Sequence, residues 1–163
     1  MLQDETLADL LARFPHAGRV EWIGVRPERR ALPVSLNEVQ ATAAGLIGDH
    51  YSGRNGNRAV TLIQAEHLQA VASLSGLQQV DPALLRRNIV VRGINLVALK
   101  DRRFRIGTAL LEGTGPCDPC SRMEENLGCG GLNAMRGHGG LNARVIEAGR
   151  IAVGDAVFAW DTE

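Results

Sequence analysis

The 163-residue chain has no surplus of either charge, no even set of cysteines and no long apolar run, and each lack excludes a class of protein. Eighteen basic side chains against eighteen acidic ones leave no global field to draw the protein to nucleic acid or to anionic lipid. Neither is expected as a partner, and any anion site has to be built locally. Three cysteines are an odd number, and the opening stretch MLQDETLADLLARF is amphipathic and acidic, unlike a secretory signal or a transit peptide. A disulfide framework is therefore not expected, and the thiols should be reduced in a cytoplasmic protein. No stretch approaches the roughly 20 apolar residues of a membrane span. The length is near that of one ordinary domain, so residues 1–163 read as a single unit that can bury a core without metal or disulfide support.

The periodicity that is present is mostly that of strands. Leu7, Leu10, Leu11 and Phe14 recur at helical spacing before Pro15 and predict a short helix within residues 1–17, packed on the body. Residues 18–26 alternate as a strand up to Pro27, and 34–42 form a second extended stretch. Residues 45–58 (GLIGDHYSGRNGNR) are too polar for a core and read as a loop, followed by an apolar strand at 59–63 and a helix at 66–74. Asp81 and Pro82 open another short helix as N-cap and first-turn proline. Residues 88–92, 103–106 and 108–112 predict strands, and 141–146 with 151–160 a closing hairpin across Gly149. Many short strands with few helices indicate a mainly β chain, a barrel with peripheral helices. GGLNAMR at 130–136 is echoed by GGLNAR at 139–144, either as a coincidence of a Gly-rich region or as two similar turns around a ligand.

The chemistry concentrates in Gly115-Pro116-Cys117-Asp118-Pro119-Cys120-Ser121-Arg122, a Cys-x-x-Cys between a strand and a helix start. A thiol near a helix start and beside Arg122 is a candidate soft ligand or nucleophile, which singles out Cys120. A catalytic dithiol pair would require a thioredoxin-like context that this β-rich chain does not show. A zinc set can be drawn from Cys117, Cys120, Cys129 and His138, although the gap between its last two members is long for zinc ligands. An inert buried cysteine is the further reading, above all for Cys117.

Four segments in a fixed order make the chain resemble the MOSC domain family, named after the C-terminal part of molybdenum-cofactor sulfurases. They are the loop Gly45-Leu46-Ile47-Gly48-Asp49-His50 with Gly53 and Arg54, running into Arg58 and the strand after it; Arg86-Arg87-Asn88 at a strand entry; Phe104 to Glu112 leading to the cysteine; and Gly139-Gly140-Leu141-Asn142 with the final Gly-Asp turn at 149–155. The similarity spans about residues 18–160.

The resemblance implies a MOSC-type β-barrel that binds the molybdenum cofactor (molybdopterin). Cys120 would be its functional thiol, as molybdenum ligand or sulfur carrier. Asp49, His50, Arg54, Arg58, Arg87, Asn88, Arg122 and Asn142 are the candidate cofactor-binding residues, with Arg86 able to join the arginines, because a pterin phosphate calls for guanidinium forks and glycine amides. The implied activity is reduction of N-hydroxylated or related N-oxygenated compounds, or carriage of sulfur or cofactor. No pyridoxal-phosphate desulfurase domain is expected here, so a separate protein has to donate electrons or sulfur. The alternative from another class is a zinc-stabilised binding module without catalysis.

Overall fold

The computed structural model describes residues 4–51 and 53–161. The chain opens with α1 (Leu7–Leu11), set by a capping box in which the Thr6 hydroxyl accepts from the Asp9 amide and the Asp9 carboxylate accepts from the Thr6 amide. The strands follow as β1 (Gly18–Val25), β2 (Val34–Leu36), β3 (Glu38–Thr42), β4 (Gly45–Leu46) and β5 (Val60–Gln64). After α2 (Ala65–Leu74) and a 3-10 turn, Pro82–Leu85, come β6 (Ile89–Arg92), a second 3-10 turn, Leu96–Leu99, β7 (Arg103–Ile106) and β8 (Ala109–Pro116). Two short helices, α3 (Ser121–Leu127) and α4 (Gly131–Met135), lead to β9 (Leu141–Glu147), β10 (Gly149–Ala152) and β11 (Ala156–Ala159).

Seven strands close into a barrel in the order β11-β7-β8-β9-β5-β6-β1, with β1 pairing back onto β11 and β2 added outside β1. Closure leaves no open edge in the ring, which is how an all-β core avoids edge pairing. All ring pairs are antiparallel except β5 with β6, whose parallel crossover is spanned by α2. Inward positions such as Val60, Leu62, Ile89, Val91, Phe104 and Leu111 fill the barrel. Outward positions on the same strands, Ile63 and Val90, bury against Val71, Leu85, Met123 and Met135 of the helical layer. A period of two therefore serves two cores, one on each face of the wall.

Two expectations are corrected and one open alternative is resolved. The first helix is present, but none of its residues is buried and Leu7, Leu10 and Leu11 are exposed; Phe14 alone of that apolar set packs on the barrel core. The closing hairpin is absent. β10 leaves the barrel and pairs with β3, which pairs in turn with β4, in a separate three-stranded sheet, while β11 returns to the ring between β7 and β1. The crossing is fixed where Arg150 meets the turn before β8, its amide donating to the Thr108 hydroxyl and its carbonyl accepting from the Thr108 amide. Finally, the first copy of the repeated GGLNA segment forms α4 whereas the second opens β9, so the echo does not build two similar turns. Among the described residues no helix is long and apolar enough to cross a membrane.

Candidate functional site

The end of β1 and the starts of β5 and β6 meet at one rim of the barrel, and the loop that follows β8 reaches the same place along the outer face of the wall. A cavity of about 300 Å3 lies there, lined by side chains from each end and from the 45–58 loop. His50, Arg58, Arg86, Arg87 and Cys120 share it, joining segments far apart in sequence. Thr61, and Asn88 beneath it, belong to the outward face of the wall, so the site sits on the helical side of the rim, next to Met123 of α3.

Cys120 is exposed at the N-cap position of α3, and its side chain makes no capping hydrogen bond. Its sulfur is thus free of any local structural task. Cys117 is buried; its amide donates to the Gly140 carbonyl at 2.9 Å. Cys129 is exposed, and all three thiols are unpaired. The zinc alternative fails on geometry, because among the described residues no three His, Cys, Asp or Glu side chains gather as a metal would require, and Cys117, Cys120, Cys129 and His138 are all described.

The candidate residues divide by what already holds them. The Asp49 side chain is fully buried and accepts from the Arg26 amide (2.7 Å), Arg26 Nε (3.0 Å), Arg26 Nη2 (2.8 Å), Asn88 Nδ2 (3.2 Å) and the Tyr51 amide (3.3 Å). Burial pushes its carboxyl up, but the hydrogen bonds and charge of Arg26 outweigh that and hold it below the usual carboxylate range. Asn88, fully buried, bonds the Thr61 amide and hydroxyl through Oδ1 and the Gly24 carbonyl through Nδ2. Arg87 is 6% exposed and donates to backbone carbonyls only. Asp49 and Asn88 bond each other, and Arg87 bonds backbone carbonyls, so the polar groups of these three candidates already have partners within the fold.

Arg54 is exposed on the loop and does not line the cavity. Arg122 also lies off the lining, with its Nε 3.7 Å from Glu125 Oε2, yet it is close enough to act on Arg86. Burial first, and then the charges of Arg26 and Arg122, hold the Arg86 guanidinium below its ordinary value, with Cys120 and Asp49 opposing. Arg86 occupies a left-handed backbone position (φ 59°), and its guanidinium bonds the Ala31 carbonyl. His50 and Arg58 are exposed at the rim. Asn142 is 7% exposed; its Nδ2 donates to the Pro116 carbonyl at 3.1 Å, and its Oδ1 has no partner.

Sequence reasoning missed Arg26, Tyr51 and Asp118 as lining residues. Arg26 carried only one local sign, its place at a strand end before Pro27; its ion pair with Asp49 spans 23 residues and is invisible to periodicity. With it, four arginines line the cavity among the described residues; Asp118 is the carboxylate in the lining, and Asp49 pairs with Arg26 from behind. An uncharged chain has concentrated cations at one rim, which favours anionic ligands.

A sequence model of the MOSC domain matches residues 34–158. The chain belongs to the MOSC domain family. No curated protein matched significantly. Among solved structures, the YuaD protein of Bacillus subtilis superposes with a TM-score of 0.78 at 18% identity, over 87% of this chain and 94% of that one. YiiM from Escherichia coli gives 0.69 at 21% identity, over 89% and 71%, and YiiM from Geobacillus stearothermophilus 0.73 at 17%, over 88% and 75%. At such identities the likeness establishes the barrel and nothing of the chemistry.

A second titratable pair lies behind the cysteine loop. His67 of α2 meets His138 edge-on, ring centroids 4.9 Å apart, and the His138 Nδ1 is buried without a partner. Burial, then the neighbouring His138, hold His67 below the usual histidine value against the pull of Glu66. The folded protein therefore binds this proton less readily than the unfolded chain, so the stability is complete above the ordinary histidine value of 6.5 and declines as pH falls through it. A melting temperature lower at pH 5.5 than at pH 7.5 is expected, with the difference reduced in His67→Gln. An equal pH slope in that variant would show that the pair is not responsible.

Proposed function

We propose that this MOSC protein binds the molybdenum cofactor in the rim cavity, with Cys120 as the thiolate that ligates molybdenum or carries sulfur. One observation carries the reading: an exposed thiol with no structural task shares a cavity with four arginines in a chain of zero net charge. A soft thiolate suits a metal held by a dithiolene, and a phosphate or nucleotide tail requires local cations. The volume is at the lower end of the range for small-molecule sites.

In this reading Arg86, Arg58 and Arg26 face the anionic part of the ligand, while His50 offers a polar edge to the pterin or to a substrate. Cys120 holds the reactive end. When bound, the cofactor supplies a redox centre for reducing N-hydroxylated or related N-oxygenated compounds. A separate protein donates the electrons, or donates sulfur if the chain instead works as a sulfur or cofactor carrier. The decisive measurement is metal and pterin analysis of the full chain expressed in a molybdenum-replete host. About one molybdenum with pterin per chain is expected for a single-thiol site. Protein that comes out with neither, or with zinc in their place, contradicts the proposal.

A further inference from the structure

We infer that Arg87 is a positioning residue that clamps the cysteine loop in the shape that presents Cys120 to the cavity. The inference rests on the reading of Cys120 as the functional thiol. From the start of β6 the guanidinium donates through Nε to the Gly139 carbonyl (2.9 Å), through Nη1 to Leu85 (2.9 Å), and through Nη2 to Cys117 (3.0 Å) and Asp118 (3.4 Å). It forms no salt bridge among the described residues. A buried cation without a counter-charge is costly unless its donors are met, so a side chain spent wholly on carbonyls has a geometric task.

The topology shows what that task is. β6 and β8 are not neighbours, since β5 and β9 lie between them, and no ladder bond joins the Arg87 segment to the cysteine segment. β8 ends at Pro116, paired with Leu141. From Cys117 until α3 begins, the loop is tied to the rest of the fold by the Cys117 amide bond to Gly140 and by the Arg87 guanidinium. One planar group thus pins three separate segments: the turn ending at Leu85, the 136–140 loop and residues 117–118. A lysine has three donors on a point charge and cannot reproduce that divergent fork. The clamp also closes over glycine, because a Cβ at Gly139 would lie 2.0 Å from the Cys117 carbonyl oxygen and 3.3 Å from Arg87 Nη2.

The test reads the loop without the cofactor. Cysteine alkylation of the full chain, followed by peptide mapping, reports Cys117, which is buried, and Cys129, which is exposed and outside the cavity, as internal control. Arg87→Ala is expected to raise the Cys117 alkylation rate about ten- to a hundredfold while leaving Cys129 unchanged, the size expected for loss of charge-assisted hydrogen bonds. Arg87→Lys should fall between, and Gly139→Ala should expose Cys117 with the arginine still in place. Millimolar guanidinium should restore protection in Arg87→Ala, whereas ammonium should not, a selectivity that general loosening would not produce. If Arg87→Ala does not fold, Arg87→Lys and Gly139→Ala carry the same readout. Cys117 protected as in wild type, Cys117 and Cys129 accelerated alike, or equal rescue by ammonium would each overturn the clamp. A protein with the expected alkylation pattern that binds no molybdenum would keep the clamp and lose the proposed function.

Discussion

Cys120→Ser is expected to give a folded protein whose molybdenum content falls to background. The variant removes a soft thiolate and leaves a hydroxyl that is neither soft nor ionised at neutral pH, so a metal that needs a sulfur ligand loses it. The fold should not notice. Cys120 is exposed and its side chain caps nothing, so the change in stability should stay within about 0.5 kcal/mol, as for an ordinary surface substitution. Cys117 is the natural comparison. Its contributions described above come from its backbone, and Cys117→Ser keeps that backbone, so the metal loss should be specific to position 120. Wild-type molybdenum in purified Cys120→Ser protein would remove Cys120 from the site.

Asp49→Ala is expected to cost about 3–5 kcal/mol, the loss typical of breaking a buried ion pair by deleting one partner. The carboxylate accepts five hydrogen bonds, three of them from Arg26, and alanine would leave that guanidinium, the Asn88 amide and the Tyr51 amide without their acceptor. Against a typical total of roughly 5–15 kcal/mol, this is enough to unfold a marginal domain. Asp49→Asn keeps the shape but not the charge and should cost less. The pH dependence has a fixed sign. Because the folded carboxyl lies below its unfolded value, its stabilisation is present above the ordinary carboxylate range and is lost as pH falls through the folded value. Denaturant unfolding at pH 7 checks the magnitude, and a difference under about 1 kcal/mol would show that the network is not the anchor of the loop.

This anchoring changes how the family motif reads. Glycine 48 and Asp49 resemble a ligand-binding loop in one dimension, and so do Arg87 and Asn88. In three dimensions Asp49 and Asn88 bond each other and hold β1, β5 and the loop together, leaving Arg26, Arg58, Arg86 and Cys120 on the cavity surface. Several of the motif residues therefore serve the site from behind it.

Period and punctuation carry the local part of the fold. Alternating apolar residues gave most of the strands, Asp81-Pro82 marked its turn, and the cysteine was placed between a strand and a helix start, as observed. These are properties of neighbouring residues, and neighbours are what a sequence displays. The pairing of the closing strands is not legible locally, because Ile151 and Val157 alternate alike whether β10 pairs with β9 or with β3, and the partner of β10 lies more than a hundred residues away. The first helix has the expected spacing but not the expected burial, since an apolar stripe does not name the surface that would cover it. The arginines show the limit most clearly. Arg26, Arg86 and Arg87 have the same side chain, yet one pairs with a buried carboxylate, one turns from a left-handed position toward Ala31, and one is enclosed by carbonyls from residues 85, 117, 118 and 139. Charge fixes what a guanidinium can bond; the backbone that surrounds it, assembled from distant segments, fixes which bond it makes.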